Sequence, residues 1–205
     1  MGFYVTQVVP RLIDLACGSP VARPSRQRVC AGLHGQVLEI GFGSGLNVAY
    51  YPPAVTAVDA VEPADVGWRL AASRVACGAV PVRRSGLDGQ CLPFPDATFD
   101  SALSTWTLCT IPDVAAALQE LRRVLKPGAA LHFVEHGLAP DRHIQRWQRR
   151  LEPVQRRLAG GCHLTRPVTE LLTAAGFQLT ELDVFYEPHA PKFLAAESLG
   201  TAIAP

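Results

Sequence analysis

The sequence lacks any apolar run close to the ~20 residues that a membrane-spanning helix needs, although 48% of its 205 residues are hydrophobic. Its first residues also lack the basic segment and cleavage site of a secretory signal peptide. Strong net charge is missing too, since the formal charge is +1 at pH 7. Nothing in that balance favours nucleic acid as a partner. We therefore expect a single domain over residues 1–205, without an integral membrane segment and located in the cytoplasm.

Paired cysteines are also missing. The six cysteines show no CxxC spacing, and the only histidine adjacent to one of them is His163. Structural zinc sites usually show closely spaced ligand pairs. Scattered cysteines in a chain of this size are more typical of reduced thiols in a core or pocket than of a disulfide framework. The sequence therefore predicts no metal site and no disulfides.

What is present centres on residues 37–47. A mostly apolar run up to Ile40 predicts a buried parallel strand. Glycines at 41, 43 and 45 predict a tight turn in which a ligand can lie directly on the backbone. A helix is expected to begin near Asn47 and to direct its amide groups at that ligand. Glu39, two residues before the first glycine, would repel a pyrophosphate and attract an ammonium group, such as that of S-adenosylmethionine.

This stretch resembles motif I, E-x-G-x-G-x-G, of the class I S-adenosylmethionine-dependent methyltransferases. Residues 88–100 resemble a second passage of that family, D-x-x-x-L-P-F-x-D-x-x-F-D, and residues 121–128 resemble its L-R-R-V-L-K-P-G turn. The resemblance implies S-adenosylmethionine as cofactor, S-adenosylhomocysteine as product, and Asp88 as the partner of the adenine amino group. Glu62, at the tip of the second strand, is expected to take the ribose hydroxyls. The predicted cofactor-binding residues are Glu39, Gly41, Phe42, Gly43, Gly45, Asn47, Glu62, Leu87, Asp88 and Thr105.

Strand and helix patterns alternate five times along the chain. Right-handed crossovers then require a doubly wound sheet, with the ligand at the carboxyl ends of the strands. With two antiparallel strands expected in 178–186 and 192–203, the prediction is an α/β fold of the Rossmann-like methyltransferase type with a mostly parallel, seven-stranded sheet. We expect residues 1–34 to form a helical lid and 35–136 the cofactor-binding core. Residues 137–205 would form the substrate-side helices, including a basic helix pair at 141–158, and the final strands.

The first helix has two further interpretations. It could pack on the sheet edge, or it could contact lipid at a membrane surface. We favour a lid or edge packing because Arg11 is its only cation, whereas surface anchors usually carry several. Peripheral membrane contact stays open, also through the basic face of 141–158, whose simpler interpretation is a solvated surface. The oligomeric state is not predicted.

Residues 107–109, 134–136 and 161–166 narrow the resemblance to a branch that includes the mammalian enzymes methylating small alkyl thiols. The chain departs from that branch at Phe42, where those enzymes have a cysteine, and in lacking their hydrophobic anchor. The resemblance implies a small, largely apolar acceptor, with a thiol as the first choice. Quinone C-methylation and phospholipid or amine N-methylation are alternatives. A non-catalytic S-adenosylmethionine-binding protein is an alternative of another class.

A thiol acceptor must lose its proton, with an ordinary pKa near ~8.5, before it attacks the methyl group. His136, at the end of the fifth strand, is the predicted base, and Glu135 is predicted to orient it. The alternative is that His136 is only part of the pocket wall. An apolar rim that includes Phe3 would exclude water. The predicted acceptor-site residues are Trp106, Cys109, Trp147 and Cys162.

Overall fold

The computed structural model describes residues 4–188 and 190–205, without the side chains of Val5 and Thr6. Seven strands form one sheet in this part of the chain. They are β1 (Gly35–Ile40), β2 (Val55–Val61), β3 (Val82–Gly86), β4 (Phe99–Thr105), β5 (Leu125–His136), β6 (Gln178–Tyr186) and β7 (Ala196–Ile203). The order is β3-β2-β1-β4-β5-β7-β6. Strands β1 to β5 are parallel, and β7 lies antiparallel between β5 and β6. This confirms the predicted sheet.

Helices cover both faces of the sheet. They are α1 (Val9–Cys17), α2 (Arg23–Cys30), α3 (Asp65–Cys77), α4 (Val114–Val124), α5 (Arg142–Leu158), α6 (Val168–Ala174) and α7 (Lys192–Ala195). Shorter helical turns lie at Tyr4–Val8, Pro20–Ala22 and Val48–Tyr50. Asp113 caps the amino terminus of α4, since its carboxylate accepts a hydrogen bond from the amide of Ala116. None of the helices in the described ranges is both long and apolar enough to cross a bilayer.

The alternation of side chains along β1 determines on which face of the sheet Glu39 lies. Leu38 and Ile40 enter the apolar core that α4 and α6 complete, whereas Val37 enters the core beneath α2. Successive side chains of a strand point to opposite faces. Glu39 therefore lies on the same face as Val37, beneath the amino-terminal helices.

Three predicted elements were wrong in detail. A helical turn does begin after Asn47, as expected, but it is only the 3₁₀ turn Val48–Tyr50, because Tyr51, which precedes Pro52, is extended. The expected helix pair at 141–158 is one helix, α5, which continues through Pro153. It is fixed at Gln148, which accepts a hydrogen bond from the amide of Ala139 and donates one to the carbonyl of Gly137. The expected strand at 192–203 begins instead with the short helix α7.

Candidate cofactor and acceptor site

The turn after β1 has the backbone that its glycines predicted. Gly41, Gly43 and Gly45 have φ values of 67°, 59° and 74°, which are costly for residues with a Cβ atom. Space is restricted as well, since a Cβ atom at position 41 would lie 1.9 Å from Oγ1 of Thr107. The turn is therefore packed directly against the loop that follows β4. The Phe42 ring packs against the ring of Trp68, with the two ring centres 5.4 Å apart.

Glu62 lies at the end of β2, as predicted, and its carboxylate reaches the glycine turn. It accepts hydrogen bonds from the amides of Gly43 and Ala64, both at 2.6 Å. Burial raises the pKa of Glu62, and these two hydrogen bonds oppose the rise. The carboxylate is thus fixed beside the turn, where a ribose would lie if the cofactor follows the glycines.

Glu39 is buried in a network at the end of β1. Its carboxylate accepts hydrogen bonds from Nδ2 of Asn47 at 2.9 Å and from the hydroxyl of Tyr51. The same Asn47 nitrogen also donates to Oγ1 of Thr105 at 3.0 Å. Burial raises the pKa of Glu39 to about 7, against the lowering effect of Tyr51 and Asn47. The network brings together three residues predicted for the cofactor and holds a carboxyl that can gain or lose its proton near neutral pH.

Arg26 covers this network from α2 and was not predicted. Its Nη1 donates to Oδ1 of Asn47 at 2.6 Å, and its guanidinium lies 4.6 Å from the centre of the Trp106 ring. Its Nε atom is buried without a hydrogen-bond partner among the described residues. An unpaired buried donor is costly, so Nε offers a bond to an anionic group such as a ligand carboxylate. No local pattern in residues 18–28, which are rich in proline, serine and arginine, marks Arg26 as a site residue.

Helix α1 is tied to the glycine turn through Asp14. Its carboxylate accepts hydrogen bonds from Oγ of Ser44 at 2.6 Å and from Nη1 of Arg74 at 2.9 Å. Arg74 also donates to the carbonyl of Ser44 at 2.8 Å. The amino-terminal segment therefore lies over the cofactor turn and is linked to it by specific polar contacts.

The predicted adenine side is open to solvent. Leu87 is 61% exposed, and the Asp88 carboxylate accepts hydrogen bonds from the backbone and side-chain amides of Gln90 at 2.8 and 2.9 Å. The side-chain hydrogen bond from Gln90 lowers the pKa of Asp88, so this group is an anionic acceptor at neutral pH. Among the described residues, no hydrogen bond connects Leu87 or Asp88 to the buried network around Glu39.

The predicted role of Glu135 was wrong. Its buried carboxylate does not orient His136 but accepts four hydrogen bonds from the β4 side of the site. The donors are Oγ of Ser104 at 2.6 Å and the amides of Thr107, Leu108 and Cys109 at 3.0, 3.0 and 3.2 Å. Glu135 therefore fixes the loop after β4, because that loop has no sheet partner for its amide groups.

His136, Cys109 and Cys162 converge next to this loop. The two Sγ atoms are 3.5 Å apart, and the two sulfurs and a ring nitrogen of His136 all lie within 4.8 Å of one another. Glu197, and not Glu135, holds the imidazole, with Oε1 3.4 Å from Nε2. The sequence predicted no metal site, since the three residues belong to β5, the loop after β4 and the segment after α5.

These contacts shift the proton affinities of the cluster. Burial lowers the pKa of His136, but the contacts with Cys162 and Glu197 outweigh it and raise that pKa to about 10. The hydrogen bond with Cys109 lowers the pKa of Cys162 against the effect of burial, and His136 lowers it further. A cationic His136 cannot accept a proton at neutral pH. In this structure it is suited to stabilise a neighbouring thiolate.

Of the three aromatic residues predicted around the acceptor site, one lies at the site, one lies elsewhere and one is outside the described residues. Trp106 lies at the site, with its indole Nε1 donating to Oε1 of Glu197 at 3.1 Å and with a φ of 50°, which is unusual for a side chain of this size. Trp147 is half exposed on α5, and the contact described for its ring is with Arg150. The structure does not bring Trp147 to the cluster. Phe3 lies outside the described residues.

The fold and this glycine-centred site define an S-adenosylmethionine-dependent methyltransferase. A methyltransferase domain family matches residues 38–133. Human thiol S-methyltransferase TMT1B is 33% identical to this chain over 170 residues, which are 80% of this chain and 68% of that protein. The chain therefore belongs to the class I S-adenosylmethionine-dependent methyltransferases. Its cofactor is S-adenosylmethionine, and the product of methyl transfer is S-adenosylhomocysteine.

Relatives of other substrate classes are also similar. Phosphatidylethanolamine N-methyltransferase of Cereibacter sphaeroides is 30% identical over 131 residues, which are 61% of this chain and 63% of that protein. The chain spans about two thirds of the length of these curated relatives. A methyltransferase structure from Aquifex aeolicus superposes with a TM-score of 0.66 at 19% identity, covering 96% of this chain and 98% of the other. That likeness shows the fold alone.

Proposed function

We propose that this methyltransferase transfers the methyl group of S-adenosylmethionine to a thiol on a small, largely apolar molecule. The observation that carries the proposal is the position of the Cys109–His136–Cys162 cluster. Thr107 packs on Gly41 of the cofactor turn, and Cys109 follows two residues later in the same Glu135-bound loop. A soft, partly buried group of side chains is therefore adjacent to the place where the methyl donor is expected.

The chemistry needs little more than alignment and a thiolate. The acceptor S–H gives up its proton, and its sulfur attacks the methyl carbon. A carbon–sulfur bond forms as the sulfonium–methyl bond breaks. A thioether and S-adenosylhomocysteine result, and no oxidant or covalent enzyme intermediate is required. We propose that His136 favours the thiolate form of the acceptor, and that the buried loop after β4 excludes water.

The proposed cofactor-binding residues contact different parts of S-adenosylmethionine. We propose that Glu39 takes the ammonium group and that Arg26 Nε, which has no partner in the described structure, takes the carboxylate. Glu62 would take the ribose hydroxyls, and Asp88 the adenine amino group. The amino-terminal helices would act as a lid, supported by the Asp14 and Arg26 contacts.

A panel assay tests the acceptor. Purified protein is incubated with S-adenosylmethionine labelled in its methyl group and with alkyl thiols, quinols, amines and phosphatidylethanolamine vesicles. We expect label in the thiols. Transfer only to the phospholipid or to a quinol would show that the acceptor is not a thiol and belongs to that other substrate class. Cofactor binding without any transfer would favour a non-catalytic binding protein. The Cereibacter relative is the reason to include the phospholipid.

We also propose a cytoplasmic location. All six cysteines are free thiols in the structure, including the Cys109–Cys162 pair, whose sulfurs are close. Free thiols at such short range are more easily kept in a reducing compartment than in an oxidising one. Cell fractionation followed by a high-salt wash tests this, and a protein found only in a salt-resistant membrane pellet would contradict it.

A further inference from the structure

The three side chains of the cluster all belong to residue types that bind transition metals. Thiolate sulfur and imidazole nitrogen are the donors that zinc and similar divalent metals prefer. Cys109 and Cys162 are buried, whereas the His136 side chain is 29% exposed. The cluster is therefore enclosed on the cysteine side and accessible on the histidine side.

We propose that Cys109, His136 and Cys162 bind a zinc-type divalent metal ion, and that its fourth coordination position is open to the acceptor thiolate. Three protein ligands and one exchangeable position are typical of catalytic zinc, whereas structural zinc has four protein ligands. The metal site stands on the geometry of the cluster. The role of the fourth position rests on the proposed thiol methylation.

The distances fit this coordination. Zinc–sulfur bonds of about 2.3 Å and zinc–nitrogen bonds of about 2.0–2.1 Å at tetrahedral angles place ligand atoms roughly 3.6–3.8 Å apart. The sulfurs are 3.5 Å apart, and the largest separation within the trio is at most 4.8 Å. Movements of about an ångström or less would close the site, which is within the reach of a side-chain rotation at the half-buried His136.

The surroundings supply the outer partner that metal-bound histidines usually have. Glu197 lies 3.4 Å from Nε2 of His136; with Nε2 bonded to this carboxylate, the other ring nitrogen, Nδ1, would bind the metal. Its carboxylate is 3% exposed and is held by the indole of Trp106. Its second oxygen, Oε2, is buried without a hydrogen-bond partner among the described residues. A carboxylate in this position fixes the ring and strengthens it as a ligand.

Nearby charges do not compete for the metal. Glu135 is the other buried carboxylate next to Cys109, but four donors occupy it. Arg166 faces the loop and donates from Nη1 to the carbonyls of Leu108 and Ile111. Two thiolates would neutralise the ion, and the acceptor would enter as a third thiolate.

The metal would perform two tasks for the acceptor. A coordinating thiol is deprotonated outright, so its proton passes to solvent when the sulfur binds. The metal then holds that sulfur while it attacks the methyl carbon of the sulfonium. The metal is neither oxidised nor reduced. The thioether product is a weaker ligand than the thiolate, which favours its release.

Cobalt substitution tests the site directly. The full-length protein is reduced, treated with a chelator and titrated with Co²⁺, and competition with Zn²⁺ gives the zinc affinity. We expect one Co²⁺ per chain and an intense thiolate-to-cobalt charge-transfer absorption. Cys109→Ser and Cys162→Ser should each weaken Zn²⁺ binding at least tenfold, with less charge-transfer intensity. Cys77→Ser, at an exposed cysteine, is the matched control and should bind like the parent.

Glu197→Gln adds a variant that keeps all three ligands. It should retain the charge-transfer absorption and lose about 10–100-fold in Zn²⁺ affinity, the usual effect of losing an outer carboxylate. Absence of charge transfer in the fully reduced parent would overturn the metal site. So would equal metal binding by the parent and the Cys109→Ser/Cys162→Ser double variant. Thiol counting that finds the two cysteines joined in the purified protein would assign the pair to a disulfide instead.

The acceptor step has its own readout. Adding an alkyl thiol to the Co²⁺ protein should increase the charge-transfer intensity, since a third thiolate then binds. An unchanged spectrum would overturn the open position while the metal site stands. A spectrum that changes with the thiol in a protein that methylates only amines or quinols would overturn the proposed function and leave the metal site intact.

Discussion

Cofactor binding should release a proton from Glu39. The carboxyl is buried, and burial raises its pKa to about 7. If it pairs with the ammonium group of the cofactor, that positive charge favours the carboxylate and lowers the pKa in the complex. The free protein then holds a proton that the complex does not. The affinity for the cofactor should therefore rise as the pH increases through the region around 7. A group that takes up a proton when the ligand binds would give the opposite dependence, an affinity that falls as the pH increases.

The size of the effect follows from the pKa. Near pH 6 a group with a pKa of about 7 is about nine-tenths protonated, and near pH 8 about one-tenth. Full ionisation in the complex would release those fractions of a proton. Affinity should be about tenfold weaker near pH 6 than near pH 8, or about 1.4 kcal/mol.

Calorimetry with S-adenosylhomocysteine measures this without turnover. Titrations in two buffers with different ionisation heats give the number of protons released at each pH. Glu39→Gln, which keeps a polar partner for Asn47, is the control. The ligand's own amino group and Glu62 titrate in both proteins, so the difference between parent and variant isolates Glu39. Equal proton release by both proteins would refute the assignment.

Three further predictions concern the same site. Glu62→Ala should weaken cofactor binding by roughly 1–3 kcal/mol, the scale of a charge-assisted hydrogen bond; unchanged calorimetric affinity in both Glu62→Ala and Asp88→Ala would contradict the assigned ribose and adenine contacts. His136→Ala should slow thiol methylation about 10²-fold at neutral pH, the scale of losing one electrostatic stabiliser, and the rate should recover partly as rising pH ionises the acceptor; a variant as fast as the parent would remove His136 from the reaction. Asp14→Ala should increase amide hydrogen exchange in α1 by freeing it from Ser44 and Arg74, whereas unchanged exchange would show that α1 is held by other contacts.

The parts of the fold that the sequence predicted depend on local spacing. The glycine turn and the alternation of strands with helices are each determined by residues a few positions apart. The order of the sheet then follows from the handedness of the crossovers. Glu62 could be placed at the cofactor turn because it ends the strand beside β1.

The contacts that the sequence did not predict join residues far apart in the chain. Glu135 binds amides 26 to 28 residues earlier, and Cys162 meets Cys109 across 53 positions. Arg26 reaches Asn47 across 21 positions. Such contacts depend on how α2, β7 and the loops pack on the sheet, and no periodicity within one segment specifies that packing. Glu135 and His136 are adjacent in the sequence, but adjacent residues of a strand point to opposite faces, so their adjacency does not bring the two side chains together.

The close approach of Gly41 to Thr107 limits the order in which this sequence can evolve. A side chain at position 41 would meet Oγ1 of Thr107 at 1.9 Å and its Cγ2 at 2.3 Å, so a smaller residue at 107 would have to be accepted first. That change alone would not suffice, because at a φ of 67° even an alanine costs roughly 1–2 kcal/mol. Steric room and backbone conformation are separate barriers at one position, and no single substitution lifts both. Descendants of this protein can therefore alter position 107 before position 41, and they reach a different residue at 41 only after the turn itself has been rebuilt.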